Sequence, residues 1–301
     1  MKHKPTLHIV GQGAIGLLLA YYLHSKFDVC LLLRNKHLAT KKQPCTYLHS
    51  GASTRFTVKT ESIHCVEQVQ NVLIPTKSYQ VSGVLDSLSG KLSNNANIIF
   101  SHNGMPNLDD IENRISTDKN LYFLTTSMGA LKQKSFTLCH TGFGASFFGV
   151  LHQGNNKTSS LINALSKSIP NCHIESNINT LLWRKLLINV AINPLSAVHQ
   201  VKNGELVSPI YANDIIGLLN EAVYLAKREG IKVTLVEALT NAYQVMHATK
   251  DNNSSMNRDF FFQRQTEINS ICGFIAKKGV QYHYPTPYNS RFLALIQGDI
   301  L

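Results

Sequence analysis

The sequence predicts two domains: an α/β domain on a mostly parallel sheet over residues 1–172, then an all-helical domain over residues 173–301. Three observations carry this. Short apolar β-type runs alternate with helical stretches over residues 5–126, the pattern of repeated βαβ units. A glycine turn, Gly11-Gln12-Gly13-Ala14-Ile15-Gly16, stands between the first such run and a helix. After Pro170 the pattern turns helical, and no β-type run of comparable strength follows. A length of 301 residues suits two domains.

Element by element, Thr6–Val10 (Thr-Leu-His-Ile-Val) is expected as the first strand, residues 17–24 as a helix and Asp28–Leu33 as a buried second strand. Further strands are expected over 71–75, 96–100 and 121–126, with helices near 78–92 and 108–115. Residues 136–150 read as hairpin-like strands, followed by a helix at about 158–168. In the second half, helices are expected over 179–197, 207–230, 236–249 and 260–278. Gly230 and Gly279 fall where C-terminal caps belong. Pro285 and Pro287 interrupt the chain before a last helix near 288–297.

Composition narrows the function classes. The formal net charge is +11, and its excess is uneven: 17 basic and 8 acidic groups lie in residues 1–170, against 12 and 10 in residues 171–301. An anionic ligand in the first half fits this bias. No nucleic-acid partner is expected, because aromatic residues do not interleave with the basic ones. The six cysteines are scattered without a CxxC, as expected of free thiols in a cytoplasmic protein. The longest apolar run, Ala14 to Leu23, is far short of the roughly 20 residues that span a bilayer, so no membrane partner is expected. No metal cluster and no serine–histidine–acid arrangement stands out, which favours hydride transfer over hydrolysis.

The glycine turn has the context of a dinucleotide site, with a strand before it and a helix after it. Gly11 permits the tight turn, Gly13 lets backbone approach a pyrophosphate, and Gly16 allows close helix–strand packing. Gln12, Ala14 and Ile15 complete the turn at the helix N-terminus, where phosphates bind. A Rossmann-type domain is therefore expected. An acid at the end of the second strand would favour NAD, but Arg34-Asn35-Lys36 stands there instead. Arg34 and Lys36 suit a 2′-phosphate, so the expected cofactor is NADP(H). Lys77 and Asn103 follow later strands, where ligands of open α/β sheets lie. Both also have plainer readings, a solvated lysine and an Asn-Gly turn.

In the second half, Lys185, Asn189 and Asn193 fall at i, i+4 and i+8 on one face of an otherwise apolar helix. Such a stripe is expensive to bury unless satisfied, either by an interhelical network or by a small polar substrate. Glu267 is expected on the helix over 260–278, and Ser255 precedes it by 12 residues. From position alone Glu267 serves equally as a surface acid or a site acid.

With these residues in hand, the chain resembles the ketopantoate reductase family (2-dehydropantoate 2-reductases). The matching pieces are Gly11-Gln12-Gly13-Ala14-Ile15-Gly16, Lys77, His102-Asn103-Gly104-Met105, Leu182-Trp183-Arg184-Lys185-Leu186 with Asn189, and Ile192-Asn193-Pro194-Leu195. Asn203-Gly204-Glu205-Leu206, Ser254-Ser255-Met256 with Asp259, and Thr266-Glu267-Ile268 follow in the same order. The resemblance implies NADPH-dependent reduction of 2-dehydropantoate to (R)-pantoate, on the route to pantothenate and coenzyme A. It implies Lys185 as the catalytic lysine and Glu267 as its acidic companion, also in reach of the cofactor. Asn103, Asn189, Asn193, Asn203 and Ser255 would bind substrate, with Asn103 also near the nicotinamide. Arg34 would take the 2′-phosphate, and Lys77 would sit by the cofactor. A different small 2-keto acid is the alternative substrate, and a monomer or homodimer the expected state. The chain departs from the family pattern at Asn269, where aspartate is expected, and over residues 126–140, where no basic, glycine-containing hairpin is expected to form.

Overall fold

The structure, a computed structural model, describes residues 4–38, 42–155 and 159–298. The chain divides into two compact units, Met1–His102 with Leu108–Ile178, and Asn103–Asn107 with Asn179–Leu301.

The first unit opens with β1 (Thr6–Val10), α1 (Ala14–Leu23) and β2 (Asp28–Leu33). Leu7 and Ile9 point from β1 to the face covered by α1, and Val29, Leu31 and Leu33 do so from β2. The helix needs no polar face here: Gly16, Leu17, Leu18, Leu19, Ala20 and Leu23 are all buried. Then come β3 (Gln43–His49), β4 (Ala52–Ser62), β5 (Val69–Ile74), α2 (Val81–Leu88), β6 (Leu92–Phe100), α3 (Leu108–Arg114) and β7 (Asn120–Thr126). The unit ends with β8 (Gly129–Lys134), β9 (Thr137–Gly142), β10 (Ser146–His152), α4 (Ser159–Ser168) and β11 (Cys172–Ile174). The eleven strands form one sheet in the order β11-β10-β7-β6-β5-β1-β2-β4-β3-β9-β8. Its centre, from β7 through β6, β5, β1 and β2 to β4, is parallel, as expected.

Three asparagines cross-link this parallel core. Asn97 donates to Asn71 at 2.8 Å, Asn120 donates to Asn97 at 3.1 Å, and Asn71 donates to the Thr6 carbonyl at 3.1 Å. They stand in register on β5, β6 and β7, so each amide satisfies its neighbour across the ladder.

Several expectations for this unit are corrected. The strands of residues 136–150 do not pair with each other: β9 pairs with β3 and β8, whereas β10 pairs with β7 and β11. Chain adjacency is overridden because β10 completes the central sheet while β9 extends the other edge. A hairpin does form within 126–140, from β8 and β9, carrying Gly129, Lys132 and Lys134. The helix expected over 78–92 is a 3₁₀ turn followed by α2, and Leu92 already begins β6. Residue 158, the expected start of α4, lies outside the described residues.

The second unit comprises α5 (Ile178–His199), α6 (Ala212–Arg228), α7 (Leu235–Ala248), α8 (Ser255–Phe261), α9 (Cys272–Gln281) and α10 (Pro287–Gln297). Trp183, Leu186, Leu187, Val190, Ala191 and Leu195 bury the apolar surface of α5. Buried Glu221 of α6 accepts from the backbone of Tyr288 and Asn289 at 2.8 and 2.9 Å, satisfying free donors in the first turn of α10. The helix expected over 207–230 begins only at Ala212, after two 3₁₀ turns, because Pro209 ends the first of them. The continuous helix expected over 260–278 does not exist. The chain leaves α8 at Phe262, passes through Gln263 at φ +52°, and makes a 3₁₀ turn at Ile268–Ser270 before α9. Gly279 is not a cap but lies inside α9, where a Cβ would stand 2.7 Å from the Tyr284 carbonyl oxygen. Among the described residues, no helix is long and apolar enough to cross a membrane.

Candidate active site

In the first unit, the glycine turn is shaped for a ligand. Gly11 takes φ +82°, and its N–H donates to the Leu32 carbonyl at 2.8 Å, locking the turn to the end of β2. Gly16 is tight for a packing reason: a Cβ there would lie 3.3 Å from the Pro75 ring and 3.4 Å from the Gly11 carbonyl. Gly13 differs. The nearest protein atom to a Cβ there is 4.0 Å away and the residue is exposed, so the fold itself does not demand glycine. The open space leaves the backbone accessible, as close approach of a pyrophosphate at the N-terminus of α1 would need. Ala14 and Ile15 form the first turn of that helix. The Gln12 side chain is engaged elsewhere, its carbonyl accepting from the Phe136 N–H at 3.2 Å.

Arg34 and Lys36 are exposed just past β2, placed to meet an anionic group. Lys77 is half-buried after β5, and Gln80 accepts from its N–H at 3.4 Å. Thr76, beside it, was not singled out by the sequence. Its hydroxyl is buried without a hydrogen-bond partner among the described residues.

In the second unit, Lys185, Asn189 and Asn193 follow one another along α5. Burial drives the Lys185 ammonium down to about 8, and the Glu267 carboxylate opposes that fall. Glu267 is buried, at 4% exposure, and caps the 3₁₀ turn before α9. Asn103 clamps it with two bonds: its N–H donates to Oε1 at 3.3 Å and its Nδ2 donates to Oε2 at 3.1 Å. The clamp is itself fastened. Ser270 Oγ donates to the Asn103 carbonyl at 3.2 Å, and the Met105 N–H donates to the Ser270 carbonyl at 3.0 Å. Gly104, at φ +75°, makes this possible, since a Cβ would stand 2.3 Å from the Ser270 carbonyl oxygen. Asn269 keeps an acceptor in place of the expected aspartate, its Oδ1 receiving Gln297 Nε2 at 3.0 Å.

The structure therefore brings Lys185, Glu267 and Asn103 together. Asn189 Nδ2 is buried and has no hydrogen-bond partner among the described residues, a donor available to a ligand oxygen. Asn193 is buried one turn further along. Ser255 is exposed as the first residue of α8. Its neighbour Ser254 caps that helix and pairs with Ser196 at 2.7 Å. Asn203 holds local structure, its Nδ2 donating to Thr249 at 2.9 Å. Sequence reasoning missed Asn257, whose Nδ2 donates to the carbonyls of Ser196 and Val201 at 2.5 and 3.1 Å, tying α8 to the end of α5. No local pattern signals that role.

Known proteins match this chain along most of its length. Residues 7–153 match the ketopantoate reductase PanE/ApbA family and residues 177–299 match the family's C-terminal part. A 2-dehydropantoate 2-reductase of Vibrio cholerae serotype O1 is 32% identical over 283 residues, covering 94% of this chain and 93% of that protein. A probable 2-dehydropantoate 2-reductase of Bacillus subtilis shares the fold at TM-score 0.84 and 26% identity, covering 97% of this chain and 99% of that one. A D-mandelate dehydrogenase bound to NADH and anilino(oxo)acetate has the same fold at TM-score 0.87 and 24% identity, covering 97% of each chain.

Proposed function

Because the chain belongs to the ketopantoate reductase family, we propose that it reduces 2-dehydropantoate to (R)-pantoate, with NADPH as hydride donor. It is an oxidoreductase acting on a CH–OH group. The observation that carries the reading is the half-buried lysine beside a clamped carboxylate, Lys185 with Glu267 held by Asn103.

When bound, the dinucleotide supplies the hydride that the substrate carbonyl carbon accepts. The remaining work falls to side chains. With its pKa at about 8, Lys185 is about nine-tenths ammonium at pH 7, yet gives up a proton more readily than an ordinary lysine. It hydrogen-bonds the carbonyl oxygen and transfers a proton as negative charge develops there. The C2 oxygen thus becomes a hydroxyl, and the neutral amine regains its proton from solvent. Glu267 keeps the ammonium charged and accepts a substrate hydroxyl. The free Nδ2 of Asn189 meets a substrate oxygen, and Asn193 and Ser255 complete the set of polar groups.

Selection of NADP(H) over NAD(H) rests on Arg34 and Lys36, exposed where an acid would favour the ribose hydroxyls. A place in pantothenate and coenzyme A synthesis follows from the product. A cytoplasmic setting agrees with six unpaired cysteines. The test is oxidation of NADPH with 2-dehydropantoate, run beside pyruvate and 2-oxoisovalerate. A kcat/KM for 2-dehydropantoate well above the other two is expected. Preference for either of the others would reassign the substrate.

A further inference from the structure

His8 on β1, Cys30 on β2 and Glu61 on β4 converge on the sheet face opposite α1. His8 stands directly beside Cys30 in the parallel register, and Cys30 stands beside Lys59, two residues before Glu61 on the same face. One ligand atom from each of the three lies within 4.8 Å of the others. His8 and Cys30 are buried, at 7% and 5% exposure, and Glu61 is half-buried.

An independent observation points to a ligand. His8 Nδ1 is buried with no hydrogen-bond partner among the described residues. A buried ring nitrogen left unmet costs about 1–3 kcal/mol, and in the neutral tautomer that presents its lone pair a bound cation would meet it.

We propose that His8 Nδ1, Cys30 Sγ and a Glu61 carboxylate oxygen form a binding site for a divalent transition-metal ion of the Zn2+ type, with a fourth position left for water. The donor set has the right chemistry. A thiolate and a carboxylate balance the charge of a divalent ion, and sulfur with imidazole selects zinc-like ions over magnesium or calcium. The neighbouring Lys59–Asp28 pair, at 2.5 Å, adds no net charge. Burial keeps His8 in its neutral, ligating form. It also pushes the Cys30 thiol up to about 12, so the ion displaces that proton on binding and releases it to solvent. Tetrahedral coordination at about 2.0–2.3 Å needs the three atoms to close by roughly 1 Å, within reach of the Glu61 side chain. A bound ion ties three adjacent strands together, directly beneath the strand that feeds the glycine turn. The site is separate from the proposed catalytic residues, and its test does not depend on turnover.

The test is titration of chelator-treated full-length protein with Co2+ as the spectroscopic probe, then with Zn2+. One Co2+ per chain, a thiolate-to-cobalt charge-transfer absorption and displacement by Zn2+ are expected. At a hundredfold excess over Kd, Zn2+ should raise Tm by roughly 5 °C. Cys30→Ser should lose the absorption and the Tm rise. Glu61→Gln, at a less buried position, should weaken binding by about 100-fold or more, since loss even of an outer contact costs about 10–100-fold. Cys65→Ser, an exposed thiol elsewhere, should change nothing. Absence of a thiolate absorption in the wild type overturns the proposal. So does binding that survives Glu61→Gln unchanged or is lost in Cys65→Ser, and these outcomes stand even if Cys30→Ser fails to fold.

Discussion

Replacing Glu267 by Gln removes one negative charge from beside Lys185 and keeps the side-chain shape. In the wild type, burial lowers Lys185 to about 8, with Glu267 holding it from falling further. Without that opposite charge, nothing named opposes the effect of burial, so the Lys185 pKa falls further. The direction for activity follows from the charge type. The active form is the ammonium, present below the pKa and lost as pH rises through it. At pH 7.5 about three quarters of the wild type is protonated, and a further fall of one to two units, the usual size for a neighbouring charge, lowers the active fraction by about 3- to 25-fold. The amide also presents a donor to Asn103, whose two bonds to the carboxylate are both donated, so orientation suffers as well. The assay is kcat/KM for 2-dehydropantoate from pH 5 to 9. The alkaline limb should move down from near 8 in Glu267→Gln, with activity partly recovered at low pH. An alkaline limb that stays in place would refute the coupling of the two residues.

Other perturbations follow from the same geometry. Arg34→Ala should raise KM for NADPH by roughly 10–100-fold and leave NADH almost unaffected, as expected for loss of a charge-assisted phosphate contact, read from paired steady-state assays. Gly104→Ala should destabilise the protein by about 3 kcal/mol or more, measured by denaturant unfolding. The new Cβ falls 2.3 Å from a backbone carbonyl that cannot retreat without breaking its bond to the Met105 N–H, and φ +75° is itself costly for alanine. Retention of wild-type stability would mean that the strap formed by Asn103–Met105 is loose.

Much of this was legible in the residues, for physical reasons. The glycine turn and its flanking elements declare themselves because β2 after Asp28 and most of α1 are buried and therefore apolar. The α5 stripe is legible because polar groups in an otherwise buried helix leave a periodic trace. The β3–β4 pair was missed because β4 is exposed along its first four residues and carries no apolar run. Glu267 reads as helical because its surroundings repeat with helical spacing and hold no Pro, yet Gln263 turns the chain with a positive φ. Its clamp was invisible for a different reason: Asn103 reaches it from 164 residues away, and no local pattern encodes such a contact. The same holds for His8, Cys30 and Glu61, which only strand register assembles.

The central claim is that Lys185 delivers the proton. Steady-state NADPH consumption with saturating 2-dehydropantoate at pH 7, wild type against Lys185→Ala, tests it most directly. A kcat lower by about 10²–10⁴-fold in the variant, with NADPH still bound at wild-type affinity, is the predicted result. A variant that turns over at the wild-type rate contradicts it.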